Sequence, residues 1–112
     1  MEIAESKRHG VVVLGVAGRI DAANAGLFEE KLLGLIAAGE GRFVVDCDRL
    51  DYISSAGLRI LLVAAKRLAP SGGQIALSAP QALIKEILDI AGFSSIFRIY
   101  RTHEDAVVAL LS

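Results

Sequence analysis

Residues 42 to 68 read RFVVDCDRLDYISSAGLRILLVAAKRL. Arg42 to Asp46 is a short apolar run bounded by charge, the form taken by a strand buried within a sheet. From Leu58 onward the period changes: Leu58, Leu61, Leu62, Ala65 and Leu68 recur at helical spacing, with Arg59, Lys66 and Arg67 off that stripe. Pro70-Ser71-Gly72-Gly73 ends the helix this predicts. Between strand and helix, the polar pair Asp48-Arg49 and Leu50 lead into two adjacent serines, Ser54 and Ser55, followed by Ala56 and Gly57. A strand passing through a polar connection into an amphipathic helix is a building unit of an α/β domain.

The alternation continues in both directions. Val11 to Val16 (VVVLGV) is a β-branched strand ended by Ala17-Gly18, and Ile3 to Lys7 pairs with it across a turn at Arg8-His9-Gly10. Ala25, Phe28, Leu32, Leu35 and Ile36 predict a first helix, capped by Asp21 or Asn24 and closed by Gly39. Gln74 to Ser78 predicts a strand. A helix follows with Pro80 at its first position and Leu83, Ile84, Ile87, Leu88 and Ala91 before Gly92. Ile96 to Tyr100 alternates apolar and basic residues as an edge strand does, and Thr102 with Asp105 resembles a capping box before Val107, Leu110 and Leu111. The expectation is one α/β domain over residues 1–112, with a mixed sheet of about five strands and about four helices packed on it.

Composition narrows the function. The 112 residues are 54% hydrophobic and 22% charged with net charge -1, which excludes a disordered chain and supplies no basic field for nucleic acid. The N-terminus MEIAESKRHG lacks an apolar leader core, and the apolar run from Ile60 stops at Lys66, so no targeting segment or membrane insertion is expected. Cys47 is the only cysteine, so neither an internal disulfide nor a paired-thiolate zinc site can form within the chain, and a cytoplasmic setting is the simplest. As a single thiol just after a strand it reads as a small buried hydrophobe.

The two serines carry the chemistry. Ser54 reads as the N-cap of the second helix, its hydroxyl accepting from an otherwise unpaired amide. Ser55 then stands at the first helical position, where free amides and the helix dipole favour an anion, so a phosphate there is tolerated. No catalytic residue is assigned: His9 falls in a turn and His103 at a helix start, both read as solvated, and no glycine precedes the serines as a G-x-S-x-G elbow requires. Gly39-Glu40-Gly41 and Gly72-Gly73 lack the Gly-Lys-Ser/Thr that completes a phosphate loop. Asp21, Asp46, Asp48 and Asp51 read as caps and solvated turns rather than metal ligands, so no metal or other cofactor is expected.

YISSAGLRILL, residues 52 to 62, resembles the signature of STAS domains, the family of bacterial anti-sigma-factor antagonists. Gly18-Arg19-Ile20-Asp21 resembles the family's turn before the first helix, and LDIAGFSSIFRIY, residues 88 to 100, its last helix-to-strand segment. The resemblance implies helices on one face of the sheet and a phosphorylatable serine two residues before the glycine, which is Ser55. It further implies partner contact through Asp21, Ser54, Ser55, Ala56, Gly57 and Arg59. In that picture the unmodified domain binds an ATP-binding anti-sigma factor serine kinase and frees its sigma factor, phosphorylation of Ser55 switches it off, and a serine phosphatase resets it. Stand-alone domains of this kind also resemble accessory subunits of bacterial lipid ABC transporters, which is the alternative function.

Overall fold

The computed structural model describes all residues from Met1 to Ser112. Six strands, β1 (Glu2–Arg8), β2 (Val11–Ile20), β3 (Arg42–Asp46), β4 (Leu50–Ile53), β5 (Gln74–Ser78) and β6 (Ile99–Tyr100), interleave with four helices, α1 (Ala25–Ala37), α2 (Ser55–Leu68), α3 (Ala82–Ile90) and α4 (His103–Leu110). The sheet runs β1-β2-β3-β5-β6, with β4 paired to β2 alongside that path. Only β1 is antiparallel to its neighbour; the β2–β3, β2–β4, β3–β5 and β5–β6 pairs are parallel.

The apolar runs are continuous because both faces of the sheet are covered. Val12, Leu14, Val16, Phe43, Val45 and Leu77 turn to one face, where they meet Phe28 and Leu32 of α1, Ile60, Leu61 and Ala64 of α2, and Ile84 and Leu88 of α3. Val11, Val13, Val44 and Ala76 turn to the other, where Ala106, Val107 and Leu110 of α4 cover them. The helices therefore lie on both faces, not on one as the resemblance implies. The short valines and Ala76 admit α4 closely, while the larger core takes the remaining helices.

The sheet has six strands where five are expected. β4 is the addition: Leu50, Tyr52 and Ile53 pair in parallel with Gly18, Arg19 and Ile20, with a register shift at Gly18, whose φ is +91°. β2 accordingly runs on to Ile20 instead of ending at Ala17-Gly18. The expected strand from Ile96 shrinks to Ile99–Tyr100, because the amides of Ile96 and Phe97 both donate to the Phe93 carbonyl, at 3.0 and 2.8 Å, in a 3-10 turn. Buried Phe93 and Phe97 stack there with centroids 5.5 Å apart. Pro80 falls outside α3, since Ala79 turns the chain at φ 53° and Gln81 is the residue that precedes the helix. In α4 the expected cap forms, Thr102 Oγ1 accepting from the Asp105 amide at 3.1 Å.

In α2 the buried stripe is Gly57, Ile60, Leu61, Ala64 and Leu68, while Leu58, Leu62 and Ala65 are half-buried at its flank. The helix is thus turned from the predicted stripe, because it packs on the sheet and on α1 together and needs an apolar arc wider than one row. β1 forms one edge; its exposed Glu5 and Lys7 pair with Lys31 and, at 2.7 Å, Glu40, charges that discourage edge pairing.

Cys47 is buried beside β3, its Sγ directed to the Val45 carbonyl at 3.6 Å. Burial, with the neighbouring Asp46 carboxylate second, pushes its thiol up from 9.0 to about 12. The folded state holds the proton that the unfolded chain releases, so this contribution to stability is complete below pH 9 and is lost as pH rises toward 12. Cys47→Ala is expected to lose less stability than wild type between pH 8.5 and 11, measured as urea midpoints. Parallel declines of the two proteins contradict the assignment.

Candidate functional site

The start of α2 is delivered by strand pairing rather than by a flexible loop. β4 lies against the end of β2, and the Ser54 amide extends the ladder by donating to the Ile20 carbonyl at 2.8 Å. Ser54 is extended, with φ −81° and ψ 170°, and its Oγ accepts from the Gly57 amide at 3.2 Å while its carbonyl accepts from Leu58 at 3.0 Å. This is the expected N-cap, formed by hydroxyl and backbone together. Ser55 follows as the first helical residue and is exposed, with Ala56 half-buried and Gly57 buried behind it.

Gly57 is where the helix seats on the sheet. A Cβ built there would lie 2.8 Å from both Ile20 Cγ2 and Ile53 Cγ1, side chains at the two strand ends that bring the serines into place. Absence of that carbon lets the first turn of α2 descend onto Ile20 and Ile53, which leaves Ser55 upright at the surface.

The loop after β2 forms a second wall. Asp21 Oδ1 accepts from the amides of Ala23 and Asn24 at 3.0 and 3.1 Å, while Asn24 Oδ1 accepts from the Asp21 amide at 2.9 Å and Asn24 Nδ2 donates to the Arg19 carbonyl at 2.8 Å. Asn24 occupies the cap position of α1, but its side chain caps nothing in that helix; Asp21 and Asn24 lock each other's backbone instead. Because the Ser54 amide bonds to Ile20, Asp21, the next residue after Ile20, follows directly from the strand end that meets the start of α2, where Ser54, Ser55, Ala56 and Gly57 stand with Arg59 one turn on.

Two further groups belong to this surface. The Arg19 guanidinium lies 4.4 Å over the Tyr52 ring, and Gln81 Nε2 reaches from the start of α3 to the Asp48 carbonyl at 3.1 Å and toward Asp51 Oδ1 at 3.5 Å. The Arg19–Tyr52 pair is a product of the β2–β4 register, and the Gln81 tether spans some 30 residues of sequence, so neither leaves a local signal.

Asp46 does not join this surface: its Oδ1 accepts from buried Ser78 Oγ at 3.1 Å, and its Oδ2 lies 3.7 Å from His103 Nδ1. His103 is half-exposed between Asp46 and Glu104, not freely solvated, on the helix that covers the opposite face. His9 is exposed in the β1–β2 turn at φ 54°. Neither imidazole bonds a serine, and no three His, Cys, Asp or Glu side chains gather as metal ligands would. What the surface offers is an exposed hydroxyl at a helix start, with Arg59 one turn further along α2, on a rigid footing.

The STAS domain family model matches residues 2–106. A Bordetella bronchiseptica protein named as an anti-sigma factor antagonist, BtrV, is 38% identical over 109 residues, which cover 97% of this chain and 94% of that protein. Among solved structures, a Thermotoga maritima protein named as an anti-sigma factor antagonist superposes with TM-score 0.93 at 22% identity, covering 98% of this chain and 95% of the other. SpoIIAA of Bacillus, solved in its phosphorylated form, superposes with TM-score 0.77 at 18% identity, covering 96% of this chain and 98% of the other.

Two substitutions separate cap from seat. Ser54→Ala is expected to lower stability by about 1 kcal/mol through the lost cap, and Gly57→Ala by about 1–3 kcal/mol through overpacking against Ile20 and Ile53. Urea denaturation of each measures both, and an unchanged midpoint for either removes the role given to that residue.

Proposed function

The chain belongs to the STAS domain family, and from that membership we propose that it is an anti-sigma-factor antagonist switched by phosphorylation of Ser55. In its unmodified form it binds an ATP-binding anti-sigma factor, a serine kinase, and displaces the sigma factor that kinase holds. Transfer of a phosphoryl group to Ser55 ends the interaction, and a serine phosphatase restores it. This work belongs to the cytosol, where sigma factors act. ATP stays with the kinase; this chain contributes the acceptor hydroxyl and the surface around it.

The observation that carries the reading is the division of labour between the adjacent serines. Ser54 is committed to the backbone, with its hydroxyl on the Gly57 amide and its own amide on Ile20. Ser55 is exposed and makes no side-chain hydrogen bond, so it is free to enter a kinase site. A phosphate on Ser55 adds roughly two negative charges at a helix N-terminus, where the dipole and the free amides of the first turn receive an anion without unwinding the helix. The same charge falls on the contact surface of this reading, so it opposes a partner fitted to a neutral hydroxyl. The solved phosphorylated form of SpoIIAA, which has the same fold, supports a domain of this architecture tolerating the modification.

In this reading Asp21, Ala56, Gly57 and Arg59 serve as contacts around Ser55. Asp21 is held by Asn24 and Arg59 rises one turn further along α2, so the partner meets a preordered patch.

Ser55→Ala is expected to fold normally and keep partner affinity, since alanine is small and a good helix former. Ser55→Asp is expected to melt at or slightly above the wild-type temperature, by about 0.3–1 kcal/mol of dipole interaction, yet to bind about tenfold or more weakly. Calorimetric titration against the anti-sigma factor, beside melting curves, reads both quantities. Equal affinity of wild type, Ser55→Asp and enzymatically phosphorylated protein refutes the switch.

A further inference from the structure

β6 is the outermost strand on the side of the sheet away from β1, and it is paired only with β5. The Arg98 and Tyr100 carbonyls turn inward, accepting from the amides of Leu77 and Ala79 at 3.0 and 2.8 Å. Peptide groups alternate sides along a strand, so Ile99 directs its N–H and C=O to the open side. Such an edge accepts another extended chain.

A groove of about 590 Å³ follows this edge between the Ser94–Tyr100 segment and Lys85 of α3. A hollow of about 360 Å³, sharing Lys85, Ile99 and Tyr100 with it, carries the depression on past Pro80 to Arg101. Lys85, Arg98 and Arg101 line these two depressions and no carboxylate does. Lys85 is neutralised by Asp89 at 2.7 Å, whose carboxyl is held below the usual range by Lys85 and by Ser94 Oγ. Arg98 and Arg101 are exposed and belong to no ion pair. The chain as a whole carries net charge -1, so this positive excess is local. By contrast, the groove beside β1 and β2 sets Glu2, Asp46 and Asp48 against Arg49 alone.

We propose that the β6 edge is a docking strand for an extended acidic segment of a partner protein, which adds to the sheet beside Ile99 and places its carboxylates at Arg98 and Arg101. Unpaired peptide groups call for a second peptide backbone, and two unmatched guanidinium groups beside them select its charge. A second copy of this chain joined edge to edge would instead bring four unpaired arginines together. The inference is independent of the role given to Ser55, since β6 lies three strands away from β2, where α2 begins.

The probe is a fluorescein-labelled acetylated heptapeptide, Glu-Val-Glu-Val-Glu-Val-Glu, titrated by anisotropy into the whole chain. Two controls run beside it, one with lysine for every glutamate and one with proline for every valine. Saturable binding of the first is expected, with roughly tenfold or greater loss for each control and for Arg98→Glu/Arg101→Glu protein of unchanged melting temperature. Amide exchange at Ile99 should slow on binding. No saturable binding would mean that the arginines only guard the edge, and it overturns the proposal. So do equal binding of either control, undiminished binding by the charge-reversed protein, dimerisation through β6, or exchange protection confined to Ser54–Arg59.

Discussion

The pairing of β4 with the end of β2 is the constraint on which the functional surface depends. It ties the segment after β3 to Gly18, Arg19 and Ile20, and its last bond, from the Ser54 amide to the Ile20 carbonyl, sets where α2 begins. From that point the helix direction follows from the Ser54 cap, and its depth follows from the missing Cβ of Gly57 over Ile20 and Ile53. Remove the β4 ladder, and Ser54 and Ser55 become residues of a mobile connection, with the free amides of the first turn no longer aimed at a fixed surface.

The rigid footing has its own support. Ile20 and Ile53 are buried in the same core as Phe28, Phe43 and Ile60, so the strand ends beneath Gly57 are held by close packing and not by hydrogen bonds alone. On the opposite face α4 seals Val11, Val13 and Val44, which lets β2 and β3 be apolar on both sides. Layers on both faces hold β2 still beneath the start of α2.

Much of this was legible in the residues. The β-branched run at Val11, the RFVVD strand, the period change after Ser55 and the Thr102 cap are local features, and each forms where its pattern places it. β4 was not legible, because Leu50–Ile53 has only four residues, one of them the acidic Asp51; its pairing is decided by β2, some thirty residues earlier. The side of the sheet taken by α4 was hidden for a related reason: Val11 and Val12 are chemically alike, and only the sheet's pleat tells which of them meets α4. Ile96–Tyr100 misleads because its alternation is that of a strand, while Phe93 and Phe97 claim the amides of Ile96 and Phe97 for a turn. At the site itself, the serines, Gly57 and Asp21 are visible in sequence, whereas the Arg19–Tyr52 stack and the Gln81 tether exist only through pairing and chain reversal.

In the proposed switch, adjacent serines with different duties resolve a conflict that one serine could not. A helix start needs an oxygen fixed on an amide, and a phosphorylation site needs an oxygen free to leave its surroundings for a kinase. Were the capping hydroxyl itself the acceptor, each modification would break the Ser54–Gly57 bond and perturb the turn that seats on Ile20 and Ile53, coupling the switch to the stability of the whole domain. Placing the cap at Ser54 and the free hydroxyl one residue later keeps the two apart: the backbone of α2 is already satisfied before Ser55 is touched. Ser55 then lies within the reach of the helix dipole but outside its hydrogen-bond ladder, so an added phosphate changes what the surface attracts while leaving in place what the surface rests on.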